Sequence, residues 1–357
     1  MNKRKQMDKR KTAYVLAVCM GLTAFTGCGT AEQKNYEQAA SDLKNGDYEN
    51  ALQEYTTAVS DGIKPAQSYR GAGVASFYLG NYEDAIEHLS NALKCDKVGK
   101  SLKKDILSYR AAAYLKTKSY DEAMADCQFL AQDYDMDSDL YFLTGQVALA
   151  MDAYEEAAVD FQQAYGEEAT YDMAIRIYEA YLSKDMEADG TRYLEAALST
   201  EAKNAQDHCD RGRVYYYMND YENAVKELIQ ASNDGNLEAV LLLGMVYMDQ
   251  KDISNARALF QEYISKAENT SRGYCGLAVC DMKEGDYDSA LANISSGMET
   301  AQNDDMQSLL FNEIVIYEKK LDFATALEKV QKYLEMYPDD KTAKKEMVFL
   351  KTRVNTN

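Results

Sequence analysis

Apolar positions along this chain recur as a helical stripe. From Tyr48 onward one phrase repeats: an aromatic or aliphatic head, alanine three places later, a large apolar residue four after that, then usually a small residue three further. It runs Tyr48-Ala51-Tyr55-Ala58, Tyr82-Ala85-Leu89-Ala92, Tyr120-Ala123-Cys127-Leu130 and Tyr154-Ala157-Phe161-Ala164. It resumes as Tyr221-Ala224-Leu228-Ala231, Ile253-Ala256-Phe260-Tyr263, Tyr287-Ala290-Ile294-Gly297 and Phe323-Ala326-Val330-Tyr333. Offsets of 3, 7 and 10 place all four side chains on one face of a helix. A weaker copy, Met186-Asp189-Tyr193-Ala196, fills the gap between the two runs. Its acidic residue at the small position predicts looser packing and a bend near residues 170–203. The heads are spaced 34, 38, 34, 32, 35, 32, 34 and 36 residues apart. A period of this length decides the fold before any local reading does. The long interval holds about four surplus residues near Lys97–Lys104, which predicts an extra helical turn or a longer loop.

A second helical phrase precedes each of these, clearest in Tyr141-Thr144-Gly145-Ala148, Leu243-Gly244-Tyr247 and Tyr274-Leu277-Ala278. Short turns such as Asn45-Gly46-Asp47, Gly80-Asn81 and Glu284-Gly285-Asp286 join the two. Glycine there can take the left-handed conformation that closes a helix, and Asp or Asn can cap the next one. Pro65 and Pro338 both fall after a second helix, where a terminator does no harm.

The paired phrases resemble the tetratricopeptide repeat (TPR) family over about residues 32–338, with Tyr69, Tyr141 and Tyr274 standing where that family usually has tryptophan. The resemblance implies an all-α fold: a right-handed α-solenoid of about nine TPR helix-turn-helix repeats. Lys341–Val354 reads as the solvated capping helix that such an array needs at its end. The expected divisions are a leader over residues 1–27, a lipidated terminus and short tether over 28–31, the array over 32–338, and the capping helix and tail over 339–357.

The leader has its own pattern. Lys3, Arg4, Lys5, Lys9, Arg10 and Lys11 crowd the start, opposed only by Asp8, and an uncharged, mostly apolar run follows from Thr12 to Thr26. This is the layout of an export signal, too brief to span a bilayer comfortably. Phe25-Thr26-Gly27-Cys28 resembles the lipobox of bacterial lipoproteins, which implies cleavage before Cys28 and lipidation of its sulfur. An ordinary signal or an uncleaved anchor is the other reading. The expected location is the extracytoplasmic face of a cell membrane.

Charge narrows the partners. The chain carries 39 basic and 59 acidic residues, a net charge of −20, and loss of residues 1–27 makes it −25. A nucleic-acid binder works through clustered Lys and Arg, so no nucleic-acid partner is expected. Anionic lipid should repel such a body, leaving attachment to the acyl chains of Cys28. Two histidines in the whole chain leave few options for histidine catalysis or multi-histidine metal sites.

Motifs that would carry chemistry fail on inspection. Gly99-Lys100-Ser101 echoes a phosphate-binding loop but has Lys94 where its first glycine belongs, and Gly71-Ala72-Gly73 has Ser76 where a dinucleotide turn needs its third. Asp133, Asp135, Asp137 and Asp139 alternate as in a calcium loop, yet Ser138 and Thr144 replace its glycine and glutamate. Ser138 or Asp139 is the expected cap of the following helix. Besides Cys28, the mature chain has Cys95, Cys127, Cys209, Cys275 and Cys280, an odd number that cannot all pair; Cys127, Cys209, Cys275 and Cys280 lie in helix-patterned segments and read as free, buried thiols. No enzyme activity, cofactor or metal is expected.

In TPR proteins the first helix of each repeat lines a concave wall. Carried over position by position, the resemblance assigns partner contact to Tyr36, Arg70, Phe77, Phe142, Gln146, Tyr178, Tyr181, Arg213, Tyr216, Met245, Met248, Met282 and Phe311. Aromatic and methionine side chains suit recognition of a partner segment, and Arg70 and Arg213 could pair with its carboxylates. The asparagine-and-lysine clamp for a C-terminal carboxylate is missing, because Val74 stands where asparagine belongs. The function these features suggest is a membrane-anchored, non-enzymatic scaffold for exported or membrane protein partners. The alternatives are a receptor for cell-wall fragments or other small ligands, and an assembly lipoprotein of an outer-membrane or secretion machine.

Overall fold

The structure, a computed structural model, describes residues 31–301, 303–338 and 340–354. The leader, Cys28 and most of the expected tether lie outside the described residues. Those described form nineteen α-helices and no strand.

Successive helices pair. The first five pairs are α1 (Ala31–Asn45) with α2 (Tyr48–Ser60), α3 (Pro65–Tyr78) with α4 (Tyr82–Lys94), α5 (Lys100–Thr117) with α6 (Tyr120–Asp133), α7 (Ser138–Ala150) with α8 (Tyr154–Glu167), and α9 (Tyr171–Leu182) with α10 (Glu187–Ala197). Then come α11 (Ala205–Tyr217) with α12 (Tyr221–Asn233), α13 (Leu237–Asp249) with α14 (Ile253–Lys266), α15 (Ser271–Glu284) with α16 (Tyr287–Met298), and α17 (Asn303–Lys319) with α18 (Phe323–Met336). The closing helix is α19 (Lys341–Val354). The surplus residues of the 38-residue interval lengthen α5 to 18 residues, so the extra turn is helical.

One turn geometry recurs in all nine pairs. A left-handed residue follows the first helix, carried by Gly46, Gly80, Lys118, Asp152, Asp185, Asn219, Lys251, Gly285 and Leu321. The next N–H reaches back into the first helix, as from Asp47 to Asp42 O (2.9 Å) and from Asp220 to Tyr215 O (2.9 Å), which closes the helix end. Where that residue is aspartate, its side chain also caps the second helix, as at Asp47, Asp220, Asp252, Asp286 and Asp322. Asp47, Asp220 and Asp252 each accept from the backbone N–H and the side chain of an asparagine three places on. Asp137, rather than Ser138 or Asp139, caps α7 by accepting from Leu140 N at 3.0 Å.

The pairs close on small residues. Alanines 51, 85, 123, 157, 224, 256, 290 and 326, all fourth in their helices, are fully buried. In four pairs a glycine in the middle of the first helix, Gly73, Gly145, Gly212 or Gly244, faces the large residue of the second. A β-carbon on Gly212 would lie 2.6 Å from Leu228 Cγ, and one on Gly244 2.7 Å from Phe260.

Contacts divide the chain into two compact units, meeting at Tyr193 and Leu194 inside α10. In the unit ending at Tyr193, the first helices α1, α3, α5, α7 and α9 touch their neighbours in series; in the other, α11, α13, α15 and α17 do the same. Each unit therefore has a layer of first helices and a layer of second helices. At the end of the second unit α19 packs on α18, burying Ala343 and Leu350 against Val330 and Tyr333. Glu318 lies next to Glu346 there. Burial and the second carboxyl push its pKa up to about 8, so it is protonated at neutral pH.

The weak copy of the phrase is misread by one residue. Asp185 takes the left-handed position, so Glu187 heads the helix, and the pattern is Glu187-Gly190-Leu194-Ala197. Gly190, Leu194 and Ala197 are buried, whereas Asp189 and Ala196 are exposed. At Gly190 the two helices approach closely: a β-carbon there would stand 2.8 Å from Tyr178 Cα, which is backbone and cannot turn aside. Gly190→Leu therefore destabilises the chain by about 1–3 kcal/mol despite leucine's better helix propensity, while Asp189→Leu stays within about 0.5 kcal/mol of the parent. Chemical unfolding followed by circular dichroism distinguishes them, and equal effects at the two positions would refute the register.

Candidate functional site

The layer of first helices is where family resemblance put partner contact, and the structure sorts the thirteen assigned residues by burial. Phe77, Phe142, Tyr178, Tyr181, Tyr216 and Met248 are all under 10% exposed. These six are core, and their expected role as a docking surface is corrected. Phe77 packs edge-on against Tyr82 and Tyr109, with centroids 5.4 and 5.9 Å away. Phe142 lies 5.7 Å from Phe161, which Tyr181 meets edge-on at 5.1 Å. Tyr178 donates to Glu187 at 3.4 Å, Tyr216 to Asp249 at 2.8 Å, and Met248 Sδ sits 3.5 Å from Cys280 Sγ. Phe77, Tyr181, Tyr216 and Met248 thereby reach into a neighbouring repeat, while Phe142 and Tyr178 pack on the second helix of their own pair.

The two arginines are engaged within the chain. Arg70 donates to both oxygens of Asp105 on the next first helix, through Nε and, at 3.1 Å, through Nη2. The side chains are 11% and 13% exposed, which leaves little room for a partner carboxylate. Arg213 stands 3.5 Å from Glu238 and 3.8 Å from Asp210, and its Nε is buried without an acceptor. Burial works against the charge of both arginines; the neighbouring carboxylates outweigh it, so both pKa values rise.

These pairs belong to a scheme that links adjacent repeats. Arg176 on α9 donates to Asp139 on α7 at 2.8 Å, with its guanidinium 4.3 Å from the centre of the Phe142 ring. Arg272 on α15 forks onto both oxygens of Glu238 on α13, at 2.9 Å for the Nη2 bond. Ser271 donates to Asp305 on α17 at 2.6 Å. Arg272, Glu238, Arg176 and Asp139 were absent from the sequence assignment, though one signal was available: each cation lies one repeat from a carboxylate, at separations of 34 and 37 residues.

What the first-helix layer still offers is partly covered. Tyr36 is half-buried, edge-on to Tyr55 at 5.8 Å, with Lys64 Nζ 4.3 Å from its ring centre. Gln146, Met245, Met282 and Phe311 are half-buried as well. In the second unit, Met245 and Met282 share the layer with Arg213, Glu238 and Arg272, a mixed apolar and charged strip. Three of the thiols are poor nucleophiles: burial pushes Cys127 up to about 12, and Cys275 and Cys280 to about 11.

A tetratricopeptide repeat family model matches residues 36–100, 70–133 and 209–271. Among curated proteins, the chain is 27% identical over 170 residues to Hsp70-Hsp90 organizing protein 1 of Arabidopsis thaliana, covering 44% of this chain and 28% of that one. It is 25% identical over 251 residues to the Hsp70-Hsp90 organizing protein of Triticum aestivum, covering 65% and 40%. The chain thus spans less than half the length of both relatives. Among solved structures it is similar to a tetratricopeptide repeat protein from Parabacteroides merdae, with a TM-score of 0.46, 15% identity, and coverage of 71% of this chain and 99% of that one. It is also similar to the yeast Tom70, with a TM-score of 0.42, 13% identity, and coverage of 91% and 88%.

The cross-repeat pairs act as braces. Arg70→Met strands Asp105 in a poorly solvated site and lowers stability by about 2–3 kcal/mol; adding Asp105→Leu restores most of the loss. Urea unfolding of the single and double variants checks this, and a neutral single substitution would show that the pair braces nothing.

Proposed function

We propose that this chain is a non-enzymatic scaffold that holds protein partners against its first-helix layer, anchored through Cys28 to the extracytoplasmic face of a membrane. The observation that carries the docking part is that half-buried Met245 and Met282 belong to the same layer of first helices as the linked charges of Arg213, Glu238 and Arg272. Adaptable thioethers and fixed charges in one layer suit a peptide segment better than a rigid small ligand. The Hsp70-Hsp90 organizing proteins, whose names describe work on other proteins, favour the same class of partner. The basic, then apolar leader ending in Gly27-Cys28 supports the anchor and the address.

Burial weighs against reception of cell-wall fragments. Sugar rings would stack on open tyrosines, and Tyr178, Tyr181 and Tyr216 are packed inside. The charged pairs also set a condition on partners: an incoming carboxylate has to compete with Glu238 for Arg213 and Arg272, so tight binders should bring apolar anchors as well.

A photo-crosslinking residue placed at position 282 on α15, and separately at position 229 on α12, tests the docking face in crosslinked source cells. Ile229 is 40% exposed on a second helix and serves as the contrast. Defined protein adducts at 282, absent at 229 and lost with Met245→Ala, are the expected result. Equal adducts at both positions, or none at 282, would overturn the proposal. Cys28→Ala abolishes incorporation of labelled fatty acid if the anchor is real.

A further inference from the structure

The last helix is unlike the rest of the chain. In a protein with a net charge of −20, α19 carries Lys341, Lys344, Lys345, Lys351 and Arg353 against a single acid, Glu346. All five cations are exposed, whereas Glu346 is half-buried beside Glu318. The outward side of this helix therefore displays no carboxylate of its own.

The arrangement is ordered around a helix period. Lys341, Lys345, Val348 and Thr352 form one outward stripe, with Lys344 and Lys351 on one flank and Phe349 on the other. The buried side, Ala343 and Leu350, packs on α18. Val348 is 61% exposed and Phe349 39%, so an apolar centre is framed by long cationic side chains. The Arg353 guanidinium lies 4.9 Å from the Phe349 ring centre, and Phe323 meets that ring edge-on at 6.5 Å, which holds it in place.

We propose that the outer face of α19 rests on an anionic lipid bilayer. A single helix face is convex and offers no groove to a peptide, but it fits a broad, flat surface. Lysines that stretch towards lipid phosphates while an apolar residue between them enters the acyl boundary are the pattern of an interfacial helix. Nucleic-acid phosphates would use the lysines and leave Val348 and Phe349 without a role. The acidic body does not forbid the contact, because charges farther than about 8 Å away are largely screened at physiological salt. The inference concerns the far end of the chain from Cys28 and stands whether or not that cysteine is lipidated.

The chain has no tryptophan, so Val348→Trp places one reporter at the centre of the proposed contact without disturbing a buried site. The full chain is titrated with vesicles of phosphatidylglycerol and phosphatidylcholine in equal parts, and with phosphatidylcholine alone. The expected result is a blue shift of emission, with quenching by brominated acyl chains, on the anionic vesicles only. Lys345→Gln with Lys351→Gln in the same background should raise the lipid concentration at half-shift roughly 30-fold, taking about 1 kcal/mol per cation. Emission that stays solvent-like on anionic vesicles, or shifts equally on neutral ones, overturns the proposal. So does a blue shift without lipid that grows with protein concentration, since a second copy would then be covering the face.

Discussion

Close approach of two helices at a residue without a side chain is the contact on which four of the nine helix pairs depend. In the middle of a first helix, Gly73, Gly145, Gly212 or Gly244 faces Leu89, Phe161, Leu228 or Phe260 in the middle of its second helix. A β-carbon at any of these four would come within 2.6–2.8 Å of the opposing side chain. Glycine inside a helix costs about 1 kcal/mol relative to alanine, so its repeated use there has to be offset by packing that no larger residue permits. The nine left-handed turns then fix where the second helix starts and which of its faces meets the glycine.

That geometry dictates what the first-helix layer can do. Once pairs sit this close, large side chains such as Phe77, Tyr181 and Tyr216 reach across to a neighbouring repeat, and they become core. Charged side chains at the same surface find partners one repeat away, as Arg70 does in Asp105 and Arg272 in Glu238. The layer is thus largely satisfied before any guest arrives. Its remaining adaptable elements are the half-buried methionines and aromatics, which is why recognition by apolar anchors fits better than recognition by charge alone.

Much of this was legible in the residues. The period of the apolar phrase placed every helix pair and the closing helix, because alanine at a crowded position and a large residue opposite it are demanded by packing. The 38-residue interval left an extra turn or a longer loop open, and α5 takes the turn. The failure at α10 has a simple cause: an apolar head was sought, so Met186 was preferred to Glu187, and Gly190 was passed over as the small residue. The turn was the better guide, since Asp185 occupies the same left-handed position as Gly46. The docking residues were harder. Helix position says which way a side chain leaves the backbone, but not whether a neighbouring repeat covers it. Only pairwise reasoning across one repeat, Arg with Asp or Glu some 34–37 residues away, would have shown that the cations were already engaged.

The most direct measurement is a double-substitution cycle at Gly212 and Leu228, read as unfolding free energies of the full chain. Gly212→Ala should destabilise the parent, because the new methyl meets Leu228 Cγ, yet stabilise a Leu228→Ala background, where space is open and alanine's helix preference acts alone. If Gly212→Ala stabilises both backgrounds equally, close glycine contact is not what sets the pairing of these helices.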